Sequence, residues 1–321
     1  MSFEIILPFL RPIAELILDP TISEIMVNGT NGCSRIYIEK DGRVYEVEGV
    51  SIPETQLQVA CRHIARSLGM DISEAEPILD ARLPDGSRVA AMFPPCSVEG
   101  TTLTIRKFDR RRFSIEELVA VGTLTPDVVS ILNEAIERRQ NILISGGAGT
   151  GKTTLLNALA SLIPPDDRII TIEDTAEIQL LHLNVRRFEA RRKQETFAPV
   201  TMADLLRAAL RHRPDRIILG EVRGAEAFDL LQALNTGHSG SLSTIHADSA
   251  QLAISRFTNC VLQAKVELPF FAIRRSIADS VHILVHIERR ESRRIVREVL
   301  RIQGFDHGRD EFALEPLFQM G

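Results

Sequence analysis

The clearest chemical signature in the sequence is a glycine-rich loop, Gly146 to Thr153, that fits G-x-x-x-x-G-K-[ST]. Glycines let backbone N–H groups curve around phosphate oxygens without Cβ clashes. Lys152 is expected between the β- and γ-phosphates, and the Thr153 hydroxyl is expected to hold Mg²⁺. We therefore predict that one run of residues binds ATP with Mg²⁺. These residues are Gly146, Gly147, Ala148, Gly149, Thr150, Gly151, Lys152, Thr153 and Thr154.

Carboxylates follow two further predicted strands. The strand RIILGEV contains Gly220-Glu221, with glycine where many phosphate-loop proteins have an aspartate for the metal. A carboxylate at this edge of a sheet is well placed to orient water, and we predict that role for Glu221. The stretch TIEDTAEI carries Glu173, Asp174 and Glu177. These like charges would be relieved by Mg²⁺ and its waters, although a solvated loop is an equal alternative.

Two histidines, His238 and His246, lie in the small-residue stretch NTGHSGSLSTIHADSA. Metal ligation is disfavoured, because no cysteine is near and the spacing fits no common zinc site. A loop of this composition beside a parallel sheet is suited to sensing a γ-phosphate. Ordinary turn or core histidines remain the alternative on the residues alone.

Basic residues cluster upstream of the loop. Arg88 precedes a group made of Arg106, Lys107, Arg110, Arg111 and Arg112. Three interpretations are open: nucleic-acid binding, delivery of an arginine to a neighbouring subunit's phosphates, or a solvated linker. The net charge of −5, the absence of tryptophan and the two tyrosines argue against direct nucleic-acid binding. A further run of Arg187, Arg191, Arg192 and Lys193 suggests an interface or a surface.

The elements that must position these groups fall into two patterns. Strand signals and a helix over 54–69 indicate an N-terminal α+β domain at 1–108, followed by a linker at 109–124. From 125 to 321, apolar runs alternate with helical patterns, which predicts an α/β domain with a parallel sheet covered by helices. The last two strand signals, SVHILVHI and RIVREVLRI, suggest antiparallel strands that trail the core.

Composition is that of a globular protein, with 44% hydrophobic and 25% charged residues in 321. The four scattered cysteines favour a reducing cytoplasm. No apolar run is long enough to predict a membrane span. The N-terminal segment has no signal-peptide pattern, and we expect it to form a packed helix, with contact to a membrane surface as the alternative.

Four blocks in fixed order resemble the secretion-ATPase family, the hexameric traffic ATPases of type II and type IV secretion, conjugation and pilus assembly. They are GGAGTGKTT, TIEDTAEI, RPDRIILGEVRG and NTGHSGSLSTIHA, and the N-terminal stretches EIMVNG, LPDGSRVAA and TLTIRKF also match. In that family the blocks are the Walker A loop, the Asp box, a Walker B with Gly-Glu, and the His box. The resemblance implies a RecA-like P-loop NTPase domain behind a smaller N-terminal domain.

The resemblance also implies roles for individual residues. Glu221 polarises water, Glu177 binds the magnesium shell, and His246 contacts the γ-phosphate region while His238 shapes that loop. Arg88 and Arg106 reach a nucleotide between domains or subunits. Further basic positions near the site are Arg207, Arg211 and Arg223.

The residues in these blocks are most similar to those of the conjugal-transfer branch of the family, with tight-adherence pilus ATPases as the alternative. This resemblance implies a homo-hexamer that works with inner-membrane components of a type IV secretion or conjugation apparatus. It places the protein in the cytoplasm, peripheral at the inner membrane. Two other classes stay open: a nucleic-acid translocase on a similar core, and a scaffold that binds ATP as an assembly signal.

Overall fold

The structure is a computed structural model that describes residues 6–30, 32–40, 42–108, 112–191, 198–291 and 293–320. The chain divides into two compact units, Met1–Arg111 and Arg112–Gly321. Four basic residues that the sequence analysis named, Arg110, Arg111, Arg192 and Lys193, lie outside the described residues. Among the described residues, no helix has the length and apolar character needed to cross a membrane.

The first unit is built on a six-stranded antiparallel sheet in the order β3-β2-β1-β6-β5-β4. One face packs against α2, whose Leu57 and Ile64 join strand residues such as Ile25 and Ile105 in a single core. The elements are a 3-10 turn (Arg11–Ile13), α1 (Ala14–Leu18), β1 (Ile22–Thr30), β2 (Cys33–Lys40), β3 (Arg43–Glu46), α2 (Glu54–Ser67), β4 (Ile78–Arg82), β5 (Arg88–Met92) and β6 (Thr102–Arg106). The predicted α+β character is confirmed.

The N-terminal segment packs against this core, as predicted. Ile6, Leu10, Ile13 and Ile17 are almost fully buried. Lys107 belongs to the same packing, since its Nζ donates to the carbonyl oxygens of Leu16 (2.8 Å) and Asp19 (2.6 Å). Its desolvated ammonium ties the segment to β6 and has its pKa lowered by burial.

The second unit is an eight-stranded sheet in the order β14-β13-β12-β7-β11-β10-β8-β9. Helices cover both faces, because neighbouring strand residues such as Ile142 and Leu143 enter opposite cores. Its elements are α3 (Ile115–Ala120), α4 (Pro126–Glu137), β7 (Ile142–Ser145), α5 (Lys152–Ala160), β8 (Ile169–Glu173), β9 (Val185–Glu189), α6 (Met202–Ala209), a 3-10 turn (Leu210–His212), β10 (Arg216–Val222), α7 (Glu226–Asn235), β11 (Leu242–Ile245), α8 (Ala250–Leu262), α9 (Phe270–Ser280), β12 (Ile283–Arg290), β13 (Arg293–Asp306) and β14 (Glu311–Gln319). The predicted α/β fold is confirmed.

Two expectations need correction. Strand β12, expected among trailing antiparallel strands, pairs in parallel with β7, the strand that leads into the glycine loop. It is antiparallel only to β13 on its other side. The segment 109–124, expected as a linker, contains α3, which is stabilised by a capping box at Ser114. Ile115 and Leu118 of α3 are buried in the core of the second unit.

Candidate functional site

The glycine loop lies between the end of β7 and the start of α5, as predicted. Gly149 (φ 68°) and Gly151 (φ 94°) adopt left-handed conformations that other residues rarely take. A Cβ on Gly146 would collide with the backbone carbonyl oxygen of Ile287, so only glycine fits there. The turn presents the free N–H groups of the first turn of α5, where anions bind favourably.

Lys152 is the first residue of α5 and is 8% exposed. Its Nζ donates to the carbonyl oxygens of Gly146 (2.9 Å) and Gly147 (2.7 Å), and it lies 3.4 Å from His246 Nδ1. Desolvation lowers the pKa of this ammonium, and Glu221 partly opposes the shift. This buried ammonium is bonded to two carbonyl oxygens and an imidazole nitrogen, all of them uncharged groups, which suits a polyphosphate.

Glu221, near the end of β10, lies close to both Lys152 and His246. Its Oε2 accepts from Arg223 Nε (2.9 Å), and its Oε1 lies 2.9 Å from His246 Nε2. The contact with His246 is short enough for an ion pair, but its angles do not meet the geometry of a hydrogen bond. Oε1 is therefore a buried oxygen without a hydrogen-bond partner among the described residues. The pKa of His246 is lowered by desolvation and by Lys152, which favours a neutral imidazole. Lys152, His246 and Glu221 therefore meet beside the glycine loop.

Gly220 lies directly beside a second buried carboxylate. Glu173 ends β8 and is 3% exposed. Its Oε1 accepts from the backbone N–H groups of Glu177 (2.7 Å) and Ile178 (2.8 Å), whereas Oε2 has no partner among the described residues. A Cβ on Gly220 would lie 2.9 Å from Glu173 Cγ. The side chain of Glu173 thus fills the space that an aspartate at position 220 would need.

Burial raises the pKa of Glu173 to about 7 from 4.5. Between pH 4.5 and about 7, Glu173 keeps its proton in the folded protein but loses it in the unfolded chain. The free energy of unfolding therefore falls as the pH rises through this range. A pKa difference of this size between the folded and unfolded states corresponds to about 3 kcal/mol of folding free energy. We expect Glu173→Gln to unfold at higher urea concentration than wild type at pH 8, with most of this advantage gone at pH 4.5. An advantage that is the same at both pH values would contradict a protonated Glu173.

The other acidic residues of the cluster are more exposed. Asp174 Oδ2 lies 3.5 Å from Arg223 Nη1. Glu177 is partly exposed, and its backbone N–H, rather than its side chain, is what binds Glu173. No group of three or more histidine, cysteine or acidic residues within the described ranges is close enough to form a metal centre by itself. Mg²⁺ that arrives with a nucleotide is held by phosphate, water and one or two protein groups, which Thr153 and these carboxylates can supply.

Two residues that the sequence analysis missed lie at the loop: His286 contacts the strand residue just before it, and Arg294 contacts the loop itself. His286 of β12 is buried beside β7, with its Nδ1 3.0 Å from Ser145 Oγ. Arg294 of β13 donates from Nε to Gly149 O at 3.3 Å. Both come from the strands on the side of β7 away from β10 and β11. The unbroken apolar run before His286 was the available signal, since it is typical of a central parallel strand.

Other predicted residues are not brought to the loop. His238 caps the end of α7, with its Nδ1 3.2 Å from Ala233 O. It precedes β11 while His246 follows it, so the two histidines lie at opposite edges of the sheet. Arg207 pairs with Asp204 and Asp229, and Arg211 lies in an exposed 3-10 turn.

Three further basic residues from the sequence analysis contact or occupy other parts of the second unit. Arg112 donates to Gln179, while Arg187 lies on the exposed edge strand β9 and Arg191 donates to Ala198 O.

Arg88 and Arg106 belong to the first unit, where they are directly opposite each other on β5 and β6. Arg82 of β4 continues the same cross-strand row beyond Arg88, and Glu24 of β1 flanks it beyond Arg106. The sheet core lies on the other face, with Val89 and neighbouring residues. Acidic residues accompany this row: Asp80 Oδ1 lies 4.0 Å from Arg88 Nη2, and Glu24 lies opposite Arg106.

Comparison with known proteins agrees with this architecture. Residues 10–303 match the family model described as Type II/IV secretion system protein. The conjugal transfer protein TrbB of Rhizobium radiobacter is 38% identical over 291 residues, which cover 89% of this chain and 85% of that protein. The type IV secretion system protein VirB11 of Brucella suis biovar 1 is 34% identical over 310 residues, covering 87% of this chain and 84% of VirB11.

Solved structures give the same result. The VirB11 ATPase of the Brucella suis type IV secretion system is 32% identical with a TM-score of 0.51, covering 93% of this chain and 94% of its own. The Legionella pneumophila ATPase DotB, at 20% identity, has the same fold with a TM-score of 0.61, covering 94% and 81% respectively. These matches confirm the predicted RecA-like P-loop domain with a smaller N-terminal α+β domain, and the predicted resemblance. The chain therefore belongs to the type II/IV secretion system protein family.

Proposed function

We propose that this chain is a ring-forming ATPase that hydrolyses ATP to ADP and phosphate, and that it powers type IV secretion or conjugal DNA transfer. The observation that carries the proposal is the meeting of Lys152, His246 and Glu221 beside the glycine loop. A cation, a neutral imidazole and a carboxylate with an unfilled oxygen provide what phosphoryl transfer to water requires. The conjugal-transfer and type IV secretion relatives support the biological setting.

Binding begins at the loop. Lys152 exchanges its two carbonyl partners for oxygens of the β- and γ-phosphates, while N–H groups at the start of α5 bind the β-phosphate. Thr153 and Glu177 would hold Mg²⁺ there, Glu177 through a water molecule. When bound, the ion offsets the charge that develops on the phosphate oxygens. Glu173, whose Oε2 has no partner among the described residues, lies beside Gly220, the residue before Glu221.

Glu221 orients the attacking water and receives its proton through Oε1, the buried oxygen that lacks a hydrogen-bond partner. As the water oxygen forms its bond to the γ-phosphorus, the bond from phosphorus to the bridging oxygen breaks, and ADP leaves with that electron pair. His246, 3.4 Å from Lys152 and 2.9 Å from Glu221, contacts the γ-phosphate region and distinguishes ATP from ADP. Arg223 fixes the Glu221 carboxylate from its other side.

We further propose that copies of the chain assemble into a hexamer at the cytoplasmic face of the inner membrane, together with membrane components of the secretion apparatus. Arg88 and Arg106 would serve the phosphates held by a neighbouring copy. Their directly opposite positions on the sheet face away from the core support this role, because both guanidinium groups can reach one anionic ligand. Mass measurement with and without Mg²⁺ and ATP tests the hexamer.

Purified protein is expected to release phosphate from ATP in the presence of Mg²⁺. Lys152→Ala is expected to weaken ATP binding about ten- to a hundredfold, since a charge-assisted contact with phosphate is lost. Phosphate release and equilibrium nucleotide titration measure the two quantities. Lys265→Ala, at an exposed position after α8, is the matched control. A wild type without hydrolysis at any assembly state, or a Lys152→Ala variant with wild-type affinity, would eliminate the proposal.

Two alternatives give different results in the same assay. A nucleic-acid translocase would be stimulated several-fold by single-stranded DNA, with steep salt dependence. A scaffold would bind ATP with negligible turnover. A pilus-assembly ATPase of the tight-adherence type would hydrolyse ATP in the same way, and is separated from a conjugation ATPase by testing DNA transfer in cells.

A further inference from the structure

The glycine loop is flanked on both sides by charged side chains from the same unit. Strands β11 and β10 carry His246 and Glu221 on one side of β7. Strands β12 and β13 lie on the other side, and their hairpin reaches the edge of the sheet where the loop begins. A polyphosphate that lies along the loop with its γ-phosphate near Glu221 would point its nucleoside end toward this hairpin.

Arg294, near the start of β13, is a charged residue of the hairpin at its contact with the loop, where Ile287 of β12 also lies against Gly146. Its Nε donates to Gly149 O at 3.3 Å. A Cβ built on Gly151 would lie 3.1 Å from Arg294 Cδ, so the stem of the arginine covers the loop where it enters α5. The residue is nevertheless exposed, which leaves its guanidinium accessible to a ligand. A planar guanidinium beside a phosphate-binding loop is well suited to phosphate oxygens.

We propose that Arg294 binds the nucleoside-proximal phosphates of a nucleoside di- or triphosphate, from the same subunit and from the side of the loop opposite Glu221. This inference rests on the proposed function and deepens it. It divides the site into two ends: Glu221 and His246 act where ATP differs from ADP, and Arg294 acts where the two nucleotides are the same.

The test is titration of ADP and ATP, each with Mg²⁺, against the full-length chain. Arg294→Ala is expected to weaken both nucleotides by the same factor, about tenfold, because it removes a charge-assisted contact common to both. Arg294→Lys keeps the charge but loses the planar guanidinium, and its affinity is expected to fall between those of wild type and Arg294→Ala. Arg293→Ala is the matched control, because successive strand residues point to opposite faces. Thermal unfolding of each variant checks that the fold is retained.

Three results would overturn the inference: unchanged affinity in Arg294→Ala, a loss for ATP well beyond that for ADP, or an Arg294→Lys variant as weak as Arg294→Ala. The last result would mean that Arg294 shapes the loop instead of supplying charge. If wild type binds neither nucleotide, the proposed function itself fails. If wild type binds both and Arg294→Ala binds them equally well, only the role of Arg294 fails.

Discussion

The Glu221→Gln variant is expected to bind Mg²⁺ and ATP with wild-type affinity while hydrolysing ATP at least about 10²-fold more slowly, since general-base catalysis typically contributes 10²–10⁴-fold. Glutamine keeps an oxygen for Arg223 and nearly the same shape, so the arrangement around the loop should persist. It cannot take a proton from water. Single-turnover phosphate release, measured beside equilibrium binding, separates the chemical step from affinity.

Glu137→Gln is the matched control for this substitution. It makes the same chemical change at an exposed residue near the end of α4, away from the catalytic edge of the sheet. Its turnover should equal that of wild type. If Glu221→Gln hydrolysed ATP at a comparable rate, another group would have to activate the water, and Glu173 would be the next candidate because of its unpartnered oxygen.

Neutralising Arg88 and Arg106 together is expected to reduce turnover by about 10³-fold or more, within the range known for arginines delivered to a phosphoryl-transfer site. Substitution to glutamine removes a long, partly exposed ion pair between Arg88 and Asp80 together with the repulsion between the two arginines, so the first unit should lose little stability. The readout is turnover per chain at concentrations where wild type is fully assembled. Affinity for ATP in the unassembled chain should change little, because the role concerns a neighbouring copy.

The control for this pair is a double variant of Arg35 and Arg43, both exposed on β2 and β3 of the same sheet. It removes the same charge elsewhere in the unit and should retain turnover. Wild-type turnover in the Arg88 and Arg106 double variant would refute delivery of these arginines to a nucleotide. Reduced turnover in both double variants would indicate a general effect of charge on assembly.

The glycine loop and the position of Glu221 could be predicted because their information is local. A strand, a turn and a helix in succession specify the loop, and a carboxylate at the end of a buried strand reaches the same sheet edge. The pair of histidines shows the limit of this reasoning. His238 and His246 share one stretch of sequence, yet the four-residue strand β11 separates them by roughly 13 Å at about 3.3 Å per residue.

Contacts between strands that are distant in sequence could not be predicted. Arg294 meets Gly149 only because β12 inserts beside β7 and carries β13 with it. No local pattern specifies that order of strands. The buried, unbroken apolar run of β12 indicated a central strand, but its hairpin with β13 was the stronger local signal. The burial of Glu173 against Gly220 similarly depends on the pairing of β8 with β10.

The packing of Glu173 over Gly220 constrains how such a site can change over generations. An aspartate introduced at position 220 collides with Glu173 Cγ, since even its first side-chain carbon would lie 2.9 Å away. Shortening Glu173 first leaves a hole and two N–H groups without their acceptor. Either order of replacement passes through an impaired intermediate, so a clash in one direction and lost hydrogen bonds in the other oppose exchange between the two acidic arrangements.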